Sequence, residues 1–151
     1  MKRHLVFVIA IGLAWVAPSA PRANPSISAA PLRAITVCSV GCDHTAVQAA
    51  IDAASFGDTI LIGPGLYVEN LVIQKSLSLR GLDRSTSIID GGGVGSVIYV
   101  AAGTAVTLSS LTLRGGSADS GSGILNLGAV TVRDCDLLDN RSLAAASFGG
   151  G

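Results

Sequence analysis

The chain has 151 residues, ten basic and ten acidic, and is 49% hydrophobic but only 4% aromatic. That is enough for a single domain with a core. The balanced charge lacks the basic surplus that would recruit nucleic acid or an anionic membrane.

The chain opens MKRH, continues with the apolar run LVFVIAIGLAWV (5–16) and breaks into APSAPRANPS. A basic start, about a dozen apolar residues and small residues after them are the pattern of a secretory signal peptide, expected over 1–23. Ala17, Ser19 and Ala23 suit the small-residue rule for cleavage, whereas Pro21 disfavours a cut directly after Ala20. The alternative, an N-terminal membrane anchor, suffers from a run shorter than a bilayer span. Removal of 1–23 takes away Lys2, Arg3, Arg22 and Trp15, leaving seven basic residues against ten acidic and no tryptophan to stack on a sugar ring. Residues 24–34 read as a Pro/Ala/Ser-rich linker, and the sequence holds no transmembrane segment after the signal peptide.

Cys38 and Cys42 frame Ser-Val-Gly. In an exported chain a local disulfide is favoured; a metal site is the alternative, with His44 as the sole nearby imidazole. Cys135 is left over on an apolar repeat position and is expected to be a buried free thiol. In TAVQAAIDAAS (45–55), Val47, Ala50, Ile51 and Ala54 form one helical stripe, and Thr45 with Gln48 suggests a capping box. Such a helix at the start of a solenoid would cover its apolar end. Gly57 and Gly63-Pro64-Gly65 then bracket TILI as a strand.

Further on, VTLSSLTLRGG (106–116) has an echo 24 residues later, VTVRDCDLLDN (130–140). Val106, Leu108, Leu111 and Leu113 fall over Val130, Val132, Cys135 and Leu137, with polar residues between. Alternation puts Val130 and Val132 on one face, but the apolar positions then resume at Cys135, so the parity slips by one across Arg133-Asp134. The same slip falls at Ser109-Ser110 and at Arg80-Gly81 in KSLSLRGL. A two-residue bend between short strands accounts for all three. Between the echoes, SVIYV (96–100) and GILNLG (123–128) supply another strand per turn, and the 29-residue step from Leu77 to Val106 leaves room for a loop in DRSTSIIDGGGVG. A shape repeated while its polar residues vary is what a solenoid requires, because inward positions stack on the next coil and outward ones meet solvent. The expected fold is all-β, a right-handed parallel β-helix of about three coils with a short N-terminal capping α-helix, over 35–151.

The run DHTAVQAAIDAASFGDTILIGPGLYVENLVIQKSLSLRGL resembles the N-terminal start of exported right-handed parallel β-helix proteins of the pectin-lyase-like superfamily. SGILNLGAVTVRDCDLLDN followed by FGGG resembles the glycine-plus-asparagine repeats of bacterial surface proteins, including the polymorphic outer-membrane group. The resemblance spans about 35–151 and implies a fold without implying an activity. Hydrolases of this superfamily assemble aspartates with a histidine and a basic pair, and its lyases use a calcium-binding acidic cluster with an arginine base. On this chain the corresponding candidates for catalysis are Asp134 and Asp136, those for calcium are Asp134, Asp136 and Asp139, and the nearest basic residues are Arg133 and Arg114. Ser110 and Thr112, one repeat earlier, add no carboxylate, and His44 lies far along the chain.

Asp58, Asp83 and Asp90 sit beside glycine or polar loops and read as turn formers, and Asn140-Arg-Ser matches a glycosylation sequon. Gly91-Gly92-Gly93 and Gly149-Gly150-Gly151 do not join a strand to a helix as phosphate loops do. No cofactor is implied. The leading expectation is a secreted or cell-surface, non-catalytic scaffold or adhesion protein meeting a carbohydrate or another surface component; the alternative is the remnant of a polysaccharide-active lyase or hydrolase. RSLAAASFGGG stops where the earlier copy goes on to ILNLG, so the β-helix is expected to be truncated, marginally stable and prone to end-to-end association.

Overall fold

The computed structural model describes residues 32–143. The segments expected to be a signal peptide (1–23) and, for the most part, a linker (24–34), and the sequence from 144 onward, including Gly149-Gly150-Gly151, lie outside the described residues.

The described chain runs β1 (Ala34–Val37), α1 (Val47–Ala53), β2 (Thr59–Ile62), β3 (Gly65–Val68), β4 (Leu71–Ile73), β5 (Leu77–Gly81), β6 (Ser87–Asp90) and β7 (Ile98–Val100). It continues with β8 (Ala105–Ser109), β9 (Thr112–Arg114), β10 (Ser117–Ala118), β11 (Ile124–Asn126), β12 (Ala129–Arg133), β13 (Asp136–Leu138) and β14 (Arg141–Ser142). All pairings between these strands are parallel. They form a long sheet β1-β2-β5-β8-β12, a four-stranded sheet β13-β9-β6-β3, a three-stranded sheet β11-β7-β4 and the pair β10-β14. The fold is a parallel β-solenoid with one short helix and about five turns, where the repeat pattern suggests three. The two additional turns escape the pattern because their steps are uneven. In the long sheet, Ile60 pairs with Leu79 after 19 residues, Leu79 with Leu108 after 29, and Leu108 with Val132 after 24.

Stacking follows the apolar positions. Ile35, Ile60, Leu79, Leu108 and Val132 form one inward ladder. Tyr67, Ile89, Leu113 and Leu137 form another. Val106 over Val130, Leu108 over Val132 and Leu113 over Leu137 are paired in register, and Cys135 packs on the core. Each fully buried aliphatic side chain contributes about 1.5–3 kcal/mol by leaving water. Cys135, expected to be buried, is half-buried because it belongs to the last described turn; burial pushes its thiol above the ordinary cysteine range.

The parity slips have a backbone cause. Ser110 and Asp134 adopt left-handed φ values of 53° and 49°, which turns the chain between sheets and resets which residues face inward. At Gly81 the structure differs from the expected two-residue bend. The chain enters an inserted loop over 82–86, Leu82 is exposed, and the fully buried Ser87 closes the corner, its hydroxyl donating to the Ile62 and Gly63 carbonyls. A Cβ on Gly81 would overlap the Ser110 carbonyl oxygen of the next turn, so only glycine fits that approach.

The N-terminal end is closed by side chains acting across sequence. The Thr45/Gln48 capping box does not form: the N-cap is Ala46, without a side-chain bond. Glu69, arriving from the loop after β3, accepts the Val47 and Gln48 amides, both at 2.8 Å. Gln48 thus serves elsewhere, accepting the Val72 amide and donating to the Val72 carbonyl, which pairs the free edge of β4 as a strand would. Lys75 donates to the Asp52 and Ala54 carbonyls at the other end of α1. Cys38 and Cys42 are joined by a disulfide, and the loop they close returns His44 to the edge of β1. There the Cys38 amide donates to His44, the His44 amide donates to Thr36, and Asp43 accepts the Thr36 amide and hydroxyl.

Candidate functional site

The 82–86 insertion carries a residue that spacing alone does not single out. Asp83 accepts the Ser85 amide and hydroxyl, and its backbone carbonyl accepts the Ser87 amide, which closes a tight turn; the Ser85 hydroxyl first and then the Ser85 amide hold the Asp83 carboxyl below its ordinary range. The turn projects Arg84 along the solenoid, and its carbonyl accepts the Thr112 hydroxyl at 2.8 Å. Arg84 Nη1 reaches Asp134 Oδ1 at 2.8 Å and Nε lies 3.7 Å from Asp136 Oδ2. Asp134 and Asp136 are therefore brought together, on one guanidinium from two turns earlier, with the Ser110 hydroxyl 3.5 Å from Asp134. All three charged side chains are about half exposed. The cluster is a surface clasp between turns, contributing at most about 1 kcal/mol per pair.

Calcium takes six to eight oxygens. In this arrangement the two carboxylates face the Arg84 guanidinium. Asp139 is placed elsewhere, beside Gly93, Gly115, Gly116, Ser117 and Arg141 in an open cleft. Among the described residues no group of three or more His, Cys, Asp or Glu stands close enough to hold a metal ion. Arg114 pairs instead with Asp90 at 2.7 Å. The Gly92 amide, then Arg114, hold the Asp90 carboxyl low. Asp58 is buried in the fold as a turn former: its carboxylate accepts the Arg33 and Ser55 amides, which hold its carboxyl below the ordinary carboxylate range, Arg33 contributing most. The sequon residue Asn140 accepts the Gly116 amide and donates to the Leu113 carbonyl, so its carboxamide stitches two turns together.

A second feature is the outward face of the long sheet. Thr59, Ser78, Thr107 and Thr131 stand in register as a hydroxyl ladder. Beside them runs Leu61, Arg80, Ser109 and Arg133. Neither ladder contains a carboxylate, although acidic residues outnumber basic ones outside 1–23. Along these ladders the face presents hydroxyls and the guanidinium groups of Arg80 and Arg133. Sequence reading placed Thr107, Thr131 and Arg133 outward, but not the rest of either ladder, because uneven steps obscure which residues meet. Arg84 had one available signal, the loop inserted between two matching strands.

Among the described residues no helix is long and apolar enough to cross a membrane. No protein-family model matches the chain, and no curated protein matches it.

Proposed function

We propose that the chain is an exported, non-catalytic β-solenoid scaffold that meets a carbohydrate or another cell-surface component through the outward face of its long sheet. The reading places it with the exported β-helix proteins of the pectin-lyase-like superfamily and the bacterial surface repeats that its sequence resembles. The observation that carries it is the pair of aligned outward ladders, Thr59-Ser78-Thr107-Thr131 and Leu61-Arg80-Ser109-Arg133. Regularly spaced hydroxyls and guanidinium groups bind an extended partner by many weak contacts, a scaffold's mode of action. The engagement of Asp134 and Asp136 by Arg84 supports a structural role for these acids over a catalytic one.

Two measurements test the proposal. Exported protein should be recovered outside the producing cell with about 17 to 23 residues removed by mass, in keeping with a signal peptide of that length. Purified protein should bind cell-surface polysaccharide, and the double variant Arg80→Ala, Arg133→Ala should weaken that binding. Reproducible cleavage of pectin or alginate with calcium supplied, abolished by Asp134→Ala or Asp136→Ala, would establish the polysaccharide-active enzyme instead.

A further inference from the structure

We propose that a pocket at the corner of the first three strands of the long sheet binds the hydrocarbon chain of a small amphiphilic carboxylate, with Arg80 receiving its head group. The pocket, about 320 Å³, is walled by Val37, Leu61, Pro64, Leu82 and the Cys38–Cys42 disulfide. That volume falls at the lower end of the range for small-molecule sites. It lies where β1, β2 and β5 end side by side, the Gly63 amide donating to Val37 and the Leu82 amide to Ile62. Two strand spacings of about 4.8 Å separate the disulfide from Leu82, so the apolar trough is about 10 Å long. All of its walls are described residues, and the chain enters β1 at Ala34, the end of that strand away from the pocket.

The chemistry of the occupant follows from which polar groups are already engaged. The Thr36 amide and hydroxyl donate to Asp43, and the Thr36 carbonyl accepts the His44 amide. The Val37 carbonyl accepts the Gly63 amide, and the Gly63 carbonyl accepts the hydroxyls of Tyr67 and Ser87. A sugar or a peptide backbone would bury hydroxyls or amides here without partners, whereas a hydrocarbon chain forfeits no hydrogen bond and leaves water. The pocket is thus distinct from the carbohydrate reading of the long sheet and does not rest on it. Charge then orients the chain. Arg80 follows Leu61 in the outward row Thr36-Leu61-Arg80, and among the described residues its guanidinium makes no ion pair and no hydrogen bond. Asp43 lies on the other side, beyond β1, bound to Thr36. An anionic head is drawn to the Arg80 end and repelled from the Asp43 end, which directs the tail toward the disulfide. A carboxylate suits a guanidinium because the two can share a pair of parallel hydrogen bonds.

Octanoate, whose extended chain suits the trough, is the probe. With the full chain at neutral pH, an amide chemical-shift titration should give saturable shifts centred on Cys38, Gly63 and Leu82. Hexanoate, shorter by two methylenes, should bind about fivefold more weakly or worse, because the buried chain supplies the affinity. Arg80→Ala should weaken octanoate about fivefold and leave octanol, the same chain without a charge, unchanged. Leu82→Ser alters a side chain that is already exposed, so the fold should persist while both ligands bind more weakly. The absence of saturable shifts in the full chain overturns the proposal. So does octanoate binding that Leu82→Ser leaves intact, since the ligand would then occupy another surface. An Arg80→Ala variant that weakens octanol as much as octanoate also overturns it, because Arg80 would then not receive the head group.

Discussion

Ile35 and Val132 occupy the same inward ladder of the long sheet, separated by Ile60, Leu79 and Leu108. Ile35 is fully buried, yet Val132 is 43% exposed and Leu137, in the neighbouring sheet, 49%. The side chains are of one kind, so the difference lies in what covers them. At the first turn, α1 seals the interior, Glu69 and Lys75 tie down its two ends, and the disulfide loop pairs the edge of β1. Among the described residues nothing comparable lies on β12 and β13. A solenoid position is thus stabilised by its neighbours on both sides, and the same residue type has a different energetic weight in the middle and at an end.

Substitutions along one ladder give the largest effect. Leu108→Asp buries an unpaired carboxylate between two turns and should cost about 4 kcal/mol or more, whereas Val132→Asp on the same ladder should cost about 1 kcal/mol. Urea denaturation of both variants measures this, and equal losses would remove the distinction between middle and end. Next comes the loop at β1. Replacing Cys38 and Cys42 by serine opens a small ring and should cost about 2 kcal/mol, with faster amide exchange at Cys38 and His44. Cutting the lid's attachment is smaller again. Glu69→Ala leaves the Val47 and Gln48 amides without their acceptor and should cost about 1 to 2 kcal/mol, seen as lost exchange protection in α1 before the long sheet responds.

Acid should reveal the same asymmetry. The Asp43 and Asp58 carboxyls are held low by hydrogen bonds, chiefly from the Thr36 and Arg33 amides respectively. A carboxyl with a depressed folded-state value contributes stability that is complete above its unfolded value, about 3.9, and is lost as pH falls through the folded value. Amides at Arg33, Thr36 and Ser55 should therefore lose exchange protection below about pH 4, and Asp58→Asn should flatten that loss at Arg33 and Ser55. The smallest effect is expected from Thr107→Asp. Its outward position should keep the cost within about 0.5 kcal/mol, and a loss matching that of Leu108→Asp would refute the assigned faces.

Much of this was legible in residue order. The strict 24-residue echo of Val106, Leu108 and Leu113 specified inward stacking, and the stripe Val47, Ala50, Ile51 specified a helix whose apolar side is buried. Inward positions are constrained by size and polarity, and such constraints leave a period that can be read. The cap of that helix was not legible, because its acceptor, Glu69, stands 22 residues from Val47 and competes successfully with the local Thr45. Nor was Arg84, whose partners lie 50 and 52 residues on, across a turn that the 82–86 loop lengthens.

The sequence by itself determined that this chain coils, which side chains of the echoed strands point in and where two of the corners fall, at Ser110 and Asp134, since these follow from alternation, volume and left-handed corners at single residues. The number of turns, the clasp on Asp134 and Asp136, the aligned outward ladders and the contrast between the first and last described turns were decided by the tertiary structure. Each depends on which residues become neighbours after steps of 19, 29 and 24 residues are wound onto one another. Local preference sets the direction of every strand, but only winding sets what lies above and below it.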